Sequence, residues 1–177
     1  GRARDRLASL KRSASGHKQV TADALTDIIG SGVLERFPEL KIVVAEVEIG
    51  WIPFWLAEMD KRSRVETLPL KPSEYFYRQC YSTFTEDEVG GRLLEWYGED
   101  SFLWSTDYPH VGTGNIWLFS DAVIERTLGH LKQETQAKVL ARNVAELYGK
   151  EIPAAMPEPA VDLALEEWRR ARTLAIG

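Results

Sequence analysis

The stretch Lys41-Ile42-Val43-Val44-Ala45-Glu46-Val47-Glu48 decides the fold. Its β-branched apolar residues do not alternate with polar ones until the end. That is the pattern of a strand covered on both faces, and such strands belong to parallel sheets. Two more runs, residues 79–84 and 102–106, read as short strands of the same kind. Helical spacing fills the intervals. Leu25, Ile28, Ile29, Val33, Leu34 and Phe37 follow one face from a predicted N-cap at Thr21, and Pro38 stops the run. Pro53 suits the first turn of a helix to about residue 64. Ser73 is expected to cap a short helix holding Tyr75, Phe76 and Tyr77. Residues 86–97 form a further helix, weakened by Gly90-Gly91 and closed by Gly98. Helices over 115–128 and 133–148 follow. This alternation of helix and strand predicts an α/β fold with parallel strands.

Composition fits that reading. The chain has 177 residues, 44% hydrophobic and 28% charged, which suits about one domain and excludes wholesale disorder. The lone cysteine, Cys80, excludes an intrachain disulfide framework and a multi-cysteine zinc cage. It is flanked by aromatics and reads as a small core residue. No apolar run approaches the roughly 18 residues of a membrane helix, and no signal segment opens the sequence. The net charge is -5, unevenly spread. Residues 1–18 carry six Lys/Arg against Asp5 alone, leaving the remainder at -10. No aromatic residue accompanies the basic start, and an acidic body repels phosphate, so nucleic acid is excluded as a partner. A soluble, cytoplasmic protein is expected. Three regions follow: a basic segment 1–20, a body 21–152, and a Pro-rich linker with a final helix, 153–177. The helix is expected over residues 162–174, and the tail's apolar stripe of Val161, Leu165 and Trp168 is expected to pack on the body or on a partner chain.

Ligands gather at the carboxyl ends of strands in parallel α/β folds. The first strand ends in Glu46 and Glu48, which as strand residues two apart would share a face. The second ends in Thr83, Thr85 and Glu86. The third runs into Asp107-Tyr108-Pro109-His110. Carboxylates at such positions hold metals or move protons. Asp107, Glu46 and His110 are therefore the candidate catalytic residues, and Glu48, Trp51 and Thr83 the candidate substrate contacts. Each has a plainer role open to it. Glu46 or Glu48 could pair with a basic side chain, Asp107 could begin a turn before Pro109, and Trp51 could be packing.

Three separate motifs carry a family resemblance. Ser31-Gly32-Val33-Leu34-Glu35-Arg36-Phe37-Pro38-Glu39-Leu40-Lys41, followed by Glu48-Ile49-Gly50-Trp51-Ile52-Pro53 and Asp60, is similar to the amidohydrolase-2 family. Trp104-Ser105-Thr106-Asp107-Tyr108-Pro109-His110 resembles its last-strand signature, and Asn143-Val144-Ala145-Glu146-Leu147-Tyr148 its closing helix. The family includes aminocarboxymuconate-semialdehyde decarboxylase and other hydrolases and decarboxylases of small carboxylic acids. The resemblance implies a (β/α)8 TIM-type barrel with a divalent metal, commonly zinc, held by histidines of early strands and an aspartate ending the eighth. Asp107 matches that aspartate, as the metal ligand.

The three strands match the sixth, seventh and eighth of the barrel. Ala45-Glu46-Val47-Glu48 stands where the decarboxylases usually carry an Ala-His-Gly-Gly type sequence, and no His-x-His pair occurs. The implied protein is thus the C-terminal portion of a barrel that typically takes about 250 residues. Its metal site would be incomplete in this chain, so the isolated chain is expected to hold no metal and to be inactive. The implied partners are a small carboxylic acid substrate and a complementing barrel fragment or further copies of the chain. A second reading is a non-catalytic truncated barrel that self-associates through its open sheet edges.

Overall fold

The computed structural model describes residues 4–6, 8, 16–63, 68–109 and 119–152. His110 and the tail 153–177 lie outside them. Helix α1 (His17–Gly30) and the single turn α2 (Val33–Arg36) precede β1 (Ile42–Val44). Then come α3 (Ile52–Arg62), α4 (Pro72–Gln79), β2 (Cys80–Phe84), α5 (Glu88–Tyr97) and β3 (Phe102–Trp104). Helix α6 (Ser120–Leu128) follows. A last helical segment runs through α7 (Gln133–Ala137), a π-helical turn (Lys138–Arg142) and α8 (Asn143–Tyr148).

The sheet has the order β1-β2-β3, and both pairings are parallel. Ile42 pairs with Cys80, and Ser82 with Phe102. Parallel neighbours need crossover helices, and α3–α4 and α5 supply them. Cys80 and Phe84 on one face of β2 meet Phe76, Leu94 and Phe102 in a fully buried core. Phe76 and Phe102 lie 6.3 Å apart between ring centroids, and Tyr97 meets Phe102 edge-on at 5.2 Å. Burial pushes the Cys80 thiol up to about 12, which fits a core residue rather than a nucleophile.

Some expectations are corrected. Thr21 does not cap α1; the helix begins four residues earlier, at His17, because Gly16 already has helical backbone. Ser73 does not cap α4 either. Lys71 is extended at the N-cap, Pro72 sits in the first turn, and Ser73 instead donates from its N–H (2.9 Å) and hydroxyl (2.6 Å) to the Asp60 carboxylate. β1 is not covered on both faces: Val43 is 37% exposed among the described residues.

The motif segments mostly build scaffold. Tyr75 donates its hydroxyl to Glu35 at 2.8 Å, and the Gln79 amide donates to the Phe37 and Leu40 carbonyls at 2.8 and 3.0 Å. In the closing helix, the Asn143 amide donates to the Glu99 and Phe102 carbonyls at 2.7 and 2.9 Å. The Gln79 and Asn143 amides thus satisfy backbone carbonyls where loops turn into strands.

Candidate active site at the strand ends

Beyond Val44 the chain leaves the sheet. Glu46 (φ 59°) and Glu48 (φ 60°) are both in the left-handed region. The two carboxylates therefore do not share a strand face as expected, because the strand ends two residues before Glu46. Asp107, just past β3, is left-handed as well (φ 58°). These three acids are the only non-glycine residues with positive φ among the described residues. Left-handed backbone costs an L-residue about 1–2 kcal/mol, and such residues persist only where their surroundings fix them.

What fixes the loop after β1 is the end of β2. The Glu46 N–H donates to the Thr83 hydroxyl at 2.8 Å. The Ser82 hydroxyl donates to the Glu48 carbonyl at 3.3 Å. The Glu48 carboxylate accepts from the Thr85 N–H (3.2 Å) and hydroxyl (3.0 Å). Asp87 is the keystone, and sequence reasoning missed it. One carboxylate oxygen accepts the N–H groups of both Ile49 and Gly50, each at 2.7 Å, while the other accepts the Gly90 N–H at 2.8 Å. Asp87 thus caps α5 and ties down the β1 loop together. Its signal was an acid just before a helix, three residues ahead of a glycine.

Trp51 donates its indole N–H to the Val47 carbonyl at 2.9 Å and packs on Trp55, with centroids 5.6 Å apart. Trp104 bridges β3 to β2 by donating to the Thr85 carbonyl at 3.0 Å. The Asp107 N–H donates to the Ser105 hydroxyl at 3.2 Å. Glu46 is exposed, whereas Glu48, Thr83 and Asp107 are half-buried. The structure brings the backbone of Glu46 and Glu48 against Thr83 and Ser82 at the end of β2 and sets Asp107 just past β3.

Burial holds the Glu48 carboxyl above the usual carboxylate range. Its two hydrogen bonds from Thr85 offset part of that rise, and the Asp87 charge adds to it. A raised folded-state pKa means the folded chain binds more protons than the unfolded chain in the window just above pH 4.5, so this group weakens folding as pH climbs through it. Glu48→Gln removes the effect. In urea titrations across that window, the stability of E48Q relative to wild type should increase with pH. A pH-independent difference would contradict the assignment.

Among the described residues, no three His, Cys, Asp or Glu side chains group closely enough to hold a metal ion. A catalytic zinc takes about three protein ligands. The described residues therefore do not by themselves fit a whole metal site. No helix among them is long and apolar enough to cross a membrane.

Comparison with known proteins agrees with this architecture. The amidohydrolase family pattern, type 2, matches residues 5–150. γ-Resorcylate decarboxylase of Polaromonas sp. strain JS666 is 31% identical over 101 residues, covering 51% of this chain and 30% of that protein. Among solved structures, 5-carboxyvanillate decarboxylase of Sphingomonas paucimobilis is 29% identical with a TM-score of 0.59, over 74% of this chain and 40% of its own. A dihydroxybenzoic acid decarboxylase of Polaromonas sp. JS666, solved with bound manganese and the inhibitor 2-nitroresorcinol, shares the fold at 22% identity and a TM-score of 0.58, over 75% of this chain and 40% of its own. The chain thus spans less than half the length of each of these relatives. Three parallel strands with crossover helices, acids at their carboxyl ends and a family match over most of the sequence lead to one conclusion: this chain belongs to the amidohydrolase family.

Proposed function

We propose that the chain is the C-terminal part of a metal-dependent decarboxylase or hydrolase acting on small carboxylic acids, hydroxylated aromatic acids foremost. One observation carries the reading. The only non-glycine residues with left-handed backbone among the described residues are the acids at the carboxyl ends of the strands. Strain of this kind clusters at functional sites, and ligands of parallel α/β folds bind at this end of the sheet. The identities of the relatives named above supply the substrate class.

In this proposal Asp107 gives one carboxylate to a divalent cation, zinc or manganese, whose other donors lie outside the described residues. Glu46 and His110 are assigned to proton transfer, and Glu48, Trp51 and Thr83 to the substrate wall.

The test uses the product of the longest reading frame that contains this sequence. Carbon dioxide release from 2,6-dihydroxybenzoate and from 5-carboxyvanillate is measured for wild type and Asp107→Asn. D107N should lower kcat/KM by about 100-fold or more, on the scale of disturbed metal ligation. Wild-type turnover in D107N would refute the assignment.

A second reading is favoured by the place of β1 at the edge of the sheet, where it pairs with β2 alone among the described residues. Unpaired strand edges recruit further strands. In that reading the chain joins copies of itself, and its mass by light scattering rises with concentration.

A further inference from the structure

Burial alternates along β2. Cys80, Ser82 and Phe84 are buried, and Tyr81 and Thr83 lie on the opposite face of the strand. Thr83 is the last residue on that face before β2 ends, in register with Leu103 of β3. It therefore stands at the carboxyl edge of the sheet, where ligands of parallel α/β folds bind. Its hydroxyl oxygen accepts the Glu46 N–H at 2.8 Å, from a residue 37 positions earlier in the chain.

The strand does not need that oxygen. Valine has nearly the same shape and an equally strong preference for strands. The hydrogen bond is not part of the core either, since Glu46 is exposed and Thr83 half-buried. Its effect is local to Glu46. The backbone there is left-handed (φ 59°), a conformation glutamate keeps only where its surroundings hold it. The other ties between this loop and the end of β2, at Glu48, Ile49 and Gly50, lie further along the chain. The amide N–H lies in a rigid plane, and φ relates that plane to the Cα–Cβ bond. Pinning the N–H at a set φ therefore fixes the direction in which the Glu46 side chain starts.

We propose that Thr83 is a positioning residue for Glu46. Its hydroxyl oxygen holds the Glu46 N–H and so sets the place from which the Glu46 carboxylate reaches the substrate. This rests on the assignment of Glu46 to proton transfer.

The test uses the product of the longest reading frame that contains this sequence, with carbon dioxide release from 2,6-dihydroxybenzoate and from 5-carboxyvanillate as the assay. Thr83→Val should lower kcat by about 10- to 100-fold, the cost of a reacting group displaced by about an ångström. KM should stay within about threefold of wild type, because valine keeps the shape of the wall. Thr83→Ser retains the oxygen and should bring kcat back to within about threefold. In a Glu46→Gln background, T83V should cost less than about twofold more, because the two residues act as one unit. Exchange of the Glu46 N–H with solvent, read by NMR on the 177-residue chain, should quicken about tenfold in T83V and not in T83S. A wild type that turns over neither acid is a failure of the site reading itself, and the role of Thr83 falls with it. With an active wild type, three results overturn the Thr83 assignment alone: wild-type kcat in T83V, no recovery in T83S, or as large a loss from T83V in the E46Q background as without it. An unchanged Glu46 exchange rate in T83V overturns it as well.

Discussion

Replacing Gly91 by alanine lowers the unfolding free energy by about 3 kcal/mol, at the upper end of the range for overpacked cores. Gly91 lies on α5 where that helix meets α6. A Cβ there would stand 2.2 Å from the Thr127 carbonyl oxygen. The obstacle is backbone, so no rotamer change relieves it; the two helices must separate and lift Leu94 and Leu128 from the core. Gly30 is the control. Its Cβ would meet nothing within 4 Å, and it ends α1 without left-handed backbone, so G30A should be neutral or slightly stabilising. Urea unfolding of the two variants checks the contrast. G91A within about 0.5 kcal/mol of wild type, the range of a harmless surface change, would contradict this packing.

Removing the Asp87 carboxylate has the second largest expected effect. Asp87→Ala strands three N–H donors, those of Ile49, Gly50 and Gly90. Losing a charged acceptor typically costs about 1.5–3 kcal/mol, and losing an N-cap about 1 kcal/mol. A total near 3 kcal/mol corresponds to a fall in melting temperature of about 10 °C for a chain of this size. Asp87→Asn keeps one acceptor oxygen, so it can serve either the Ile49–Gly50 pair or the helix cap but not both, and it should lose about half as much. Thermal unfolding followed by circular dichroism reads both. Equal melting temperatures for D87A and wild type would show that the β1 loop is held by something else. Gly50 and Gly90 belong to the same device: a Cβ on Gly50 would come within 3.0 Å of the Gly90 nitrogen, and one on Gly90 within 2.7 Å of the carboxylate it donates to.

The strands are legible in the sequence because each rests on a short apolar run whose pattern is local. Ile42, Val43 and Val44 announce β1 by their β-branching, and Cys80 declares its place by its aromatic neighbours. The parallel order follows from the helices between the strands, and the structure bears it out. What stays hidden depends on groups far apart in sequence. Asp87 matters because two N–H groups, 37 and 38 residues away, converge on it. The left-handed backbone of Glu46 and Glu48 goes with hydrogen bonds to the end of β2, 34 to 37 residues away, and glutamate is a poor candidate for that conformation. Thr21 and Ser73 mislead because a capping residue is a local preference, and helix starts yield readily to the surrounding packing. Asp107 can be singled out from its motif, whereas His110 lies outside the described residues and keeps only its sequence argument.

Metal content tests the central claim most directly. The product of the longest reading frame containing this sequence, its D107N variant and the 177-residue chain alone are dialysed against buffer with manganese or zinc and then against buffer alone. Bound metal is counted by mass spectrometry. The longer product should retain about one ion per chain, as a mononuclear catalytic site does, and D107N and the isolated chain should retain far less. Stoichiometric metal in D107N, or in the 177-residue chain by itself, would contradict the account.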